Sequence, residues 1–376
     1  MNKRPFIILS VFLLLFSLIE KGQATETYRP ETSVAGFIQL PGSGRQVYNF
    51  NPGWRFFRGD VQGAEAVNFD DRSWNVVSTP HTVELMPAEG SGCRNYQGPA
   101  WYRKHFVLPA ETKGKRVVLH FEAAMGKQIL YLNGKRIQEH LGGYLPFTLD
   151  LTANGVQAGD SCLLAVFTDN SDDKSYPPGK RQYTLDFAYH GGIYRDVWMI
   201  AKSPVAITDA IDSQIVGGGG VFVHFDKISK KSAQVYVNTE VQNDDARSES
   251  VTVETTLTDA DGKVIKRSSG KLSLKPGEKK SIRQQMEVKN PTLWSPDTPY
   301  LYRVQSRIKK GNKSIDGGIT RVGIRLAEFR GKDGFWLNGK PFGQLVGANR
   351  HQDFAYVGNA LPNSQQWRDA KRLRDA

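Results

Sequence analysis

Gln128-Ile129-Leu130-Tyr131-Leu132-Asn133-Gly134-Lys135 is the stretch whose reading decides the fold. A short apolar run that stops at a turn signal favours a strand over a helix. Asn133-Gly134 is that signal, because a two-residue hairpin needs positive φ at both turn positions and this pair tolerates it. Just upstream, Arg116-Val117-Val118-Leu119-His120-Phe121-Glu122 also reads as a strand, and so do 162–168 and 197–200. No sustained helical period interrupts residues 48–200. A β-sandwich is expected there, the jelly-roll type being one option.

Pro204 lies in a linker to a second region, about 205–325. Gly217-Gly218-Gly219-Gly220 is a flexible loop and not a phosphate cradle, since no Lys-Ser/Thr follows it. Strands are expected at 235–241, 250–258, 264–267, 281–288 and 301–308, with Asp261-Gly262 turning between two of them. About seven short strands suit an immunoglobulin-like sandwich, without the cysteine pair and buried Trp of antibody domains. A third region starts near Ala327. There Phe335-Trp336-Leu337-Asn338-Gly339-Lys340-Pro341 reads as a second hairpin, and Leu345-Val346-Gly347 as the first strand of a new domain. Residues 364–376, with Trp367 and Leu373 apolar, read as an amphipathic helix. A strand, a loop and a helix make one β/α unit, which cannot bury its own faces.

Residues 1–24 read as a cleaved signal peptide: Lys3 and Arg4, an apolar run over 6–19, then Gly22-Gln23-Ala24 at the cut. The run is short for a membrane span, so a secreted or periplasmic location is expected, with no membrane association after cleavage. Removal would leave a net charge of +10 from the +12 of the whole chain. The cations are spread without a long basic run, which argues for a solvated surface and against nucleic-acid binding. Two cysteines, Cys93 and Cys162, are too few for a disulfide scaffold. They are read as small buried thiols, with a bridge between them left open.

Two stretches could carry chemistry. His351 and Asp353 follow the expected strand 345–347, and active sites of β/α barrels form at strand C-terminal ends. They could hydrogen-bond sugar hydroxyls, or be a backbone-satisfied loop His beside a solvated Asp. The second stretch is 169–195, a long loop crowded with carboxylates and aromatics, including Asp186, Tyr176 and Tyr189. It suits carbohydrate recognition, or packing against a neighbouring domain. Elsewhere, Asp70-Asp71 reads as turn chemistry, His81 as structural, and Trp101-Tyr102-Arg103-Lys104 as a half-buried strand. Gly-x-Ser-x-Gly, His-Glu-x-x-His and Walker motifs are absent from the sequence.

Trp101-Tyr102-Arg103-Lys104-His105-Phe106, Leu132-Asn133-Gly134, Gly191-Gly192-Ile193-Tyr194-Arg195, Leu293-Trp294-Ser295-Pro296, Pro299-Tyr300-Leu301-Tyr302 and Gly347-Ala348-Asn349-Arg350-His351 together resemble glycoside hydrolase family two. The resemblance covers essentially all of 48–376. It implies a mainly β chain: a sugar-binding jelly-roll domain (28–203), an immunoglobulin-like sandwich (204–326) and the start of a (β/α)8 catalytic barrel (327–376), truncated after its first unit. Asn349-Arg350-His351 resembles the β-galactosidase branch, while Pro177-Pro178-Gly179 is similar to β-glucuronidases. By resemblance His351 contacts substrate, Asp186 lies at the sugar site and can contact sodium, and Asp353 is a further substrate-binding candidate. The resemblance implies no cofactor within this chain, magnesium or sodium serving some family members. It implies an oligosaccharide or glycan substrate, and leaves a homo-oligomer open because family members use these β domains at subunit contacts.

Retaining hydrolysis needs two carboxyl groups about 5–5.5 Å apart. In the family the acid/base is a Glu directly after Asn, and this sequence has no Asn-Glu pair. The chain alone is therefore expected not to hydrolyse glycosides. The rival expectations are a carbohydrate-binding module with an exposed platform from Trp101, Tyr176 or Tyr189, and a β-sandwich interaction module.

Overall fold

The computed structural model describes residues 31–32, 39–87 and 95–376. The expected signal peptide and Cys93 lie outside the described residues, and the Cys93–Cys162 question with them. Cys162 is buried.

The chain is mainly β. Lys127–Leu132 and Lys135–Leu141 pair antiparallel about Asn133 and Gly134, whose φ values of 51° and 81° are the positive ones that the turn demands. They close one edge of a six-stranded sheet, ordered Asn75–Val77, Trp54–Arg58, Pro99–Val107, Ser161–Asp169, Lys127–Leu132, Lys135–Leu141. The facing sheet runs Glu31–Thr32, Gln46–Asn49, Val197–Lys202, Arg116–Phe121, Phe147–Asp150. Tyr48, Trp54, Tyr102, Phe106, Phe121 and Leu164 fill the space between the two sheets. Each such side chain contributes roughly 1.5–3 kcal/mol by leaving water.

Trp101-Tyr102-Arg103-Lys104 corrects one expectation. All four are buried, not half-buried, because the six-stranded sheet is covered on both faces. On its outer face Ala64, Phe69 and Trp74 pack over Trp101 and Ala165. Arg103, on that side, donates from Nε to Asp71 Oδ2 at 2.8 Å and from Nη1 to Ala66 O at 3.0 Å. His105 Nε2 lies 2.9 Å from the same Asp71 oxygen. Asp71 is thus a buried ion-pair partner as well as the turn residue expected, its carbonyl accepting from Trp74 N at 3.0 Å. Its neighbour Asp70 also serves the turn, accepting from Arg72 N at 3.1 Å. Lys104 points the other way, with Nζ 2.9 Å from Phe50 O and 4.3 Å from the Phe50 ring centroid.

The second region is a sandwich of two four-stranded sheets. Ser232–Asn243 pairs with Val205–Ile207, Val221–Asp226 and Lys279–Lys289; the other sheet runs Val264–Leu274, Glu249–Thr258, Tyr302–Lys310, Lys313–Val322. Val235, Val237, Leu257, Met286 and Val304 form its core. It is joined to the first sandwich by Asp316, which accepts from Arg45 Nε and Nη2 at 2.8 Å each and from Ile207 N at 2.8 Å. A second link is Arg116 Nη1 to Asp244 at 2.6 Å.

In the third region Ala327–Phe329, Phe335–Leu337 and Lys340–Gly343 form a small antiparallel sheet, with Asn338 and Gly339 turning at φ 53° and 77°. The helix forms as Asn363–Asp375. The expected strand Leu345-Val346-Gly347 does not form. A strand exists through its ladder, and no described segment hydrogen-bonds to this one as a ladder partner; Val346 is 87% exposed. The β/α unit read from the sequence is therefore a hairpin sheet, an irregular segment and a helix. Among the described residues no helix is long and apolar enough to cross a membrane.

Candidate functional site

The site candidates fall on two segments: the loop after Ser161–Asp169, and residues 350–362. The loop is built by its own polar side chains. Buried Asn170 accepts from Gly98 N at 3.0 Å and donates to Tyr96 O at 2.8 Å and Tyr189 O at 2.7 Å. Asp172 accepts from Gln182 N and Gln97 Nε2, both at 2.9 Å. Asp169 and Asp173 accept from Ser171 N and Ser175 N at 2.8 and 2.7 Å. Most carboxylates that made the loop look sugar-binding are thus engaged in holding its shape. Asp186 remains at the surface.

Gly191-Gly192 then seats the loop on the sandwich. Val83 N donates to Gly191 O at 3.0 Å, and Met125 N to Gly192 O at 3.0 Å. Gly192 has φ +111°, and a Cβ there would stand 2.5 Å from Tyr102 Oη and 2.7 Å from His81 O, so only glycine fits. His81 is structural, as expected. Its Nδ1 lies 2.8 Å from Tyr102 Oη, and burial pushes it down to about 4.

Against this loop lies the 350–362 segment. Met86 N donates to Tyr356 O at 2.8 Å, and Phe354 and Gly358 bridge each other. Leu185, Phe187, Tyr189 and Tyr194 of the loop cluster with Val357 and Ala360. His351 meets the Phe187 ring edge-on, centroids 6.4 Å apart. Asp353 faces His190 in a cleft of about 110 Å³ that Met86, Pro87, Phe354 and Gly358 also line. Burial holds His190 below its ordinary range, opposed by Asp353 and a hydrogen bond with Asn359.

The structure therefore brings His351 to Phe187, next in sequence to Asp186, and Asp353 to His190. Asp186 and His351 are not among the residues lining the Asp353 cleft. Residue-level reading missed His190, Asn359 and Gln352; the signal for His190 was its place directly before Gly191-Gly192. The platform alternative loses two of its three rings, since Trp101 and Tyr189 are buried.

Two neighbouring carboxylates also lie here. Burial first, and Glu122 second, push Asp196 up to about 6. A raised carboxyl beside a second one is a mark of acid/base pairs in hydrolases. Both groups are nevertheless tied to structural donors: Glu122 Oε1 to Trp198 Nε1 at 2.9 Å, and Asp196 Oδ1 to Asn51 Nδ2 at 2.8 Å. For a cation, Asp186 would supply one carboxylate oxygen, but among the described residues no group of three or more His, Cys, Asp or Glu converges.

The family model described as "Glycosyl hydrolases family 2, sugar binding domain" matches residues 57–204, and that described as "Glycosyl hydrolases family 2" matches 219–325. A β-glucuronidase of Formosa agariphila is 33% identical over 340 residues, 86% of this chain and 34% of that protein. A β-galactosidase of Thermoanaerobacter pseudethanolicus is 34% identical over 331 residues, 88% of this chain and 42% of that protein. The crystal structure of Bacteroides uniformis β-glucuronidase aligns with TM-score 0.79 at 31% identity, over 88% of this chain and 38% of that one. The chain spans well under half the length of each of these relatives.

Proposed function

The chain belongs to glycosyl hydrolases family 2, and from that premise we propose that it supplies the sugar-binding side of a retaining β-glycosidase, β-galactosides being the first substrate class. The observation that carries this reading is the meeting of His351 with Phe187, which joins the jelly-roll loop to the Asn349-Arg350-His351 segment at one place. His351 and Asp186 would contact hydroxyls of the bound sugar, with Asp353 behind them against His190. No hydrolytic pair is assigned. The sequence lacks the Asn-Glu dipeptide, and Glu122 and Asp196 are consumed by structural bonds, so this chain alone binds sugar without cleaving it.

A β-glucuronidase is the second reading. The Pro177-Pro178-Gly179 turn favours it, and the Formosa agariphila and Bacteroides uniformis relatives carry that name. The apolar leader supports export to the periplasm or beyond, where an oligosaccharide would be met. Chemical-shift titration of the full chain with methyl β-galactoside and methyl β-glucuronide tests the reading. Millimolar binding that perturbs His351 and Phe187 and is lost in His351→Ala is expected, with no release from 4-nitrophenyl glycosides. No shift with either sugar rejects the site, and turnover rejects the claim that the chain alone is inactive.

A further inference from the structure

Glu122 directly follows Arg116–Phe121, and Arg195 and Asp196 directly precede Val197–Lys202. These strands are antiparallel neighbours with Val197 opposite Phe121, and Glu122 N donates to Asp196 O at 3.0 Å, so the two carboxylates emerge together with Arg195 next in the chain. The helix Asn363–Asp375 starts against them. Its N-cap is Pro362, which makes no side-chain cap. The backbone of Asn363 donates to Asp196 instead, and Asn363 Nδ2 donates to Glu122 Oε1 and Oε2 at 3.0 and 3.2 Å. A helix start has unsatisfied N–H groups and favours negative charge. Two carboxylates from a distant sheet meet both needs.

The helix holds the candidate site in turn. Arg350 Nη1 donates to Gln366 Oε1 at 2.9 Å, and its Nη2 pairs with Asp369. On the other side of His351, Gln352 Oε1 accepts from Arg195 Nη2 at 2.6 Å. His351 is therefore bracketed by one residue fixed to the helix and one fixed to the sandwich.

We propose that Glu122 and Asp196 are positioning residues for His351, acting through the helix start and Arg350. This rests on the reading of His351 as a sugar contact. Two charged carboxylates this near repel one another. Asp196 is raised by burial and then by Glu122, while Asn51, Asn363 and Arg195 pull it back. The Asn363 N–H and Arg195 both favour the charged form of Asp196, so its titration changes the contact that seats the helix start.

The test follows the Trp198 indole N–H, the Gln352 side-chain amide and the exchange of amides 365–369, corrected for intrinsic rates, from pH 4 to 8 in the full chain. All three are expected to step near pH 6 as Asp196 titrates. Asp196→Asn should abolish the step with the helix still docked, and Glu122→Gln should move it lower. Resonances and protection that are flat across this range overturn the proposal, as does an unchanged step in both variants. Methyl β-galactoside should bind more weakly to Glu122→Ala than to the native chain. If the step is present and the sugar binds neither protein, the sugar-site reading fails while the positioning stands.

Discussion

The loop 170–195 and the segment 350–362 face each other across the candidate site, yet they are ordered by opposite means. The loop is fixed by its own side chains, buried Asn170 and Gln182 tying it to itself and to residues 95–98, with a turn of its own aspartates. The segment has one small bridge, Phe354 to Gly358, and short turns at 357–361, and takes the rest of its order from Met86, His190, Arg195 and the helix that Glu122 and Asp196 receive. The difference teaches that the jelly roll is the template here, and the third region takes its shape from it. Damage to the template should then reach both segments, whereas damage to the segment should stay local.

The largest effect is expected from breaking the template itself. Asp71→Ala removes the carboxylate partner of Arg103, whose side chain is fully buried. An uncompensated buried charge costs about 3–5 kcal/mol. Denaturant unfolding should show that loss, with loop and segment unfolding together. The pH dependence has a definite sign. Burial opposes ionisation of Asp71, but hydrogen bonds from His105 and Arg103 outweigh it and hold the carboxyl below its usual value. Its stabilisation is present above the unfolded carboxyl value of about 3.9 and disappears as pH falls through the folded one. The variant should therefore lose part of the acid-unfolding limb; wild-type acid sensitivity in the variant would contradict this assignment.

A smaller and more local effect is expected from Gly358→Ala. Gly358 has φ +53°, and a Cβ there would lie 2.5 Å from the His190 ring. The left-handed backbone alone costs an ordinary residue roughly 1–2 kcal/mol. Amides of 354–360 should exchange faster while those of Ser161–Asp169 keep their protection. Equal loss in both places would mean that the segment supports the jelly roll as much as it is supported.

The same asymmetry explains what was legible in the sequence. Asn133-Gly134 and Asn338-Gly339 could be read because a hairpin turn is decided by the two residues that form it. Strands of the second sandwich such as Ser232–Asn243 could be read because one-face burial leaves a two-residue period, whereas Arg116–Phe121 and Val197–Lys202 of the first are short apolar runs buried almost throughout. Arg103 and Lys104 could not be placed, since a sheet covered on both faces erases that period and hides a basic side chain in each layer. Of the site, His351, Asp353 and Asp186 were reachable through motif resemblance. Their neighbours Phe187, His190 and Arg195 became partners of 351–353 only through packing between segments more than 150 residues apart in the chain.

Val346 carries the smallest expected effect and separates the sequence reading from the structure most directly. Leu345-Val346-Gly347 has the apolar, β-branched character of a buried strand, and a strand here would hide Val346 from water. Taking a buried valine to serine would lose most of its transfer free energy, about 1.5 kcal/mol or more, and would strand a hydroxyl. In the structure the side chain is 87% exposed, and a surface substitution of that kind changes stability by less than about 0.5 kcal/mol. Val346→Ser should therefore leave the unfolding midpoint in place and lower self-association, because less apolar surface faces solvent beside Leu345. A loss above about 1 kcal/mol would show that the segment pairs and buries in solution. The third region would then owe less of its shape to the jelly roll than its contacts indicate.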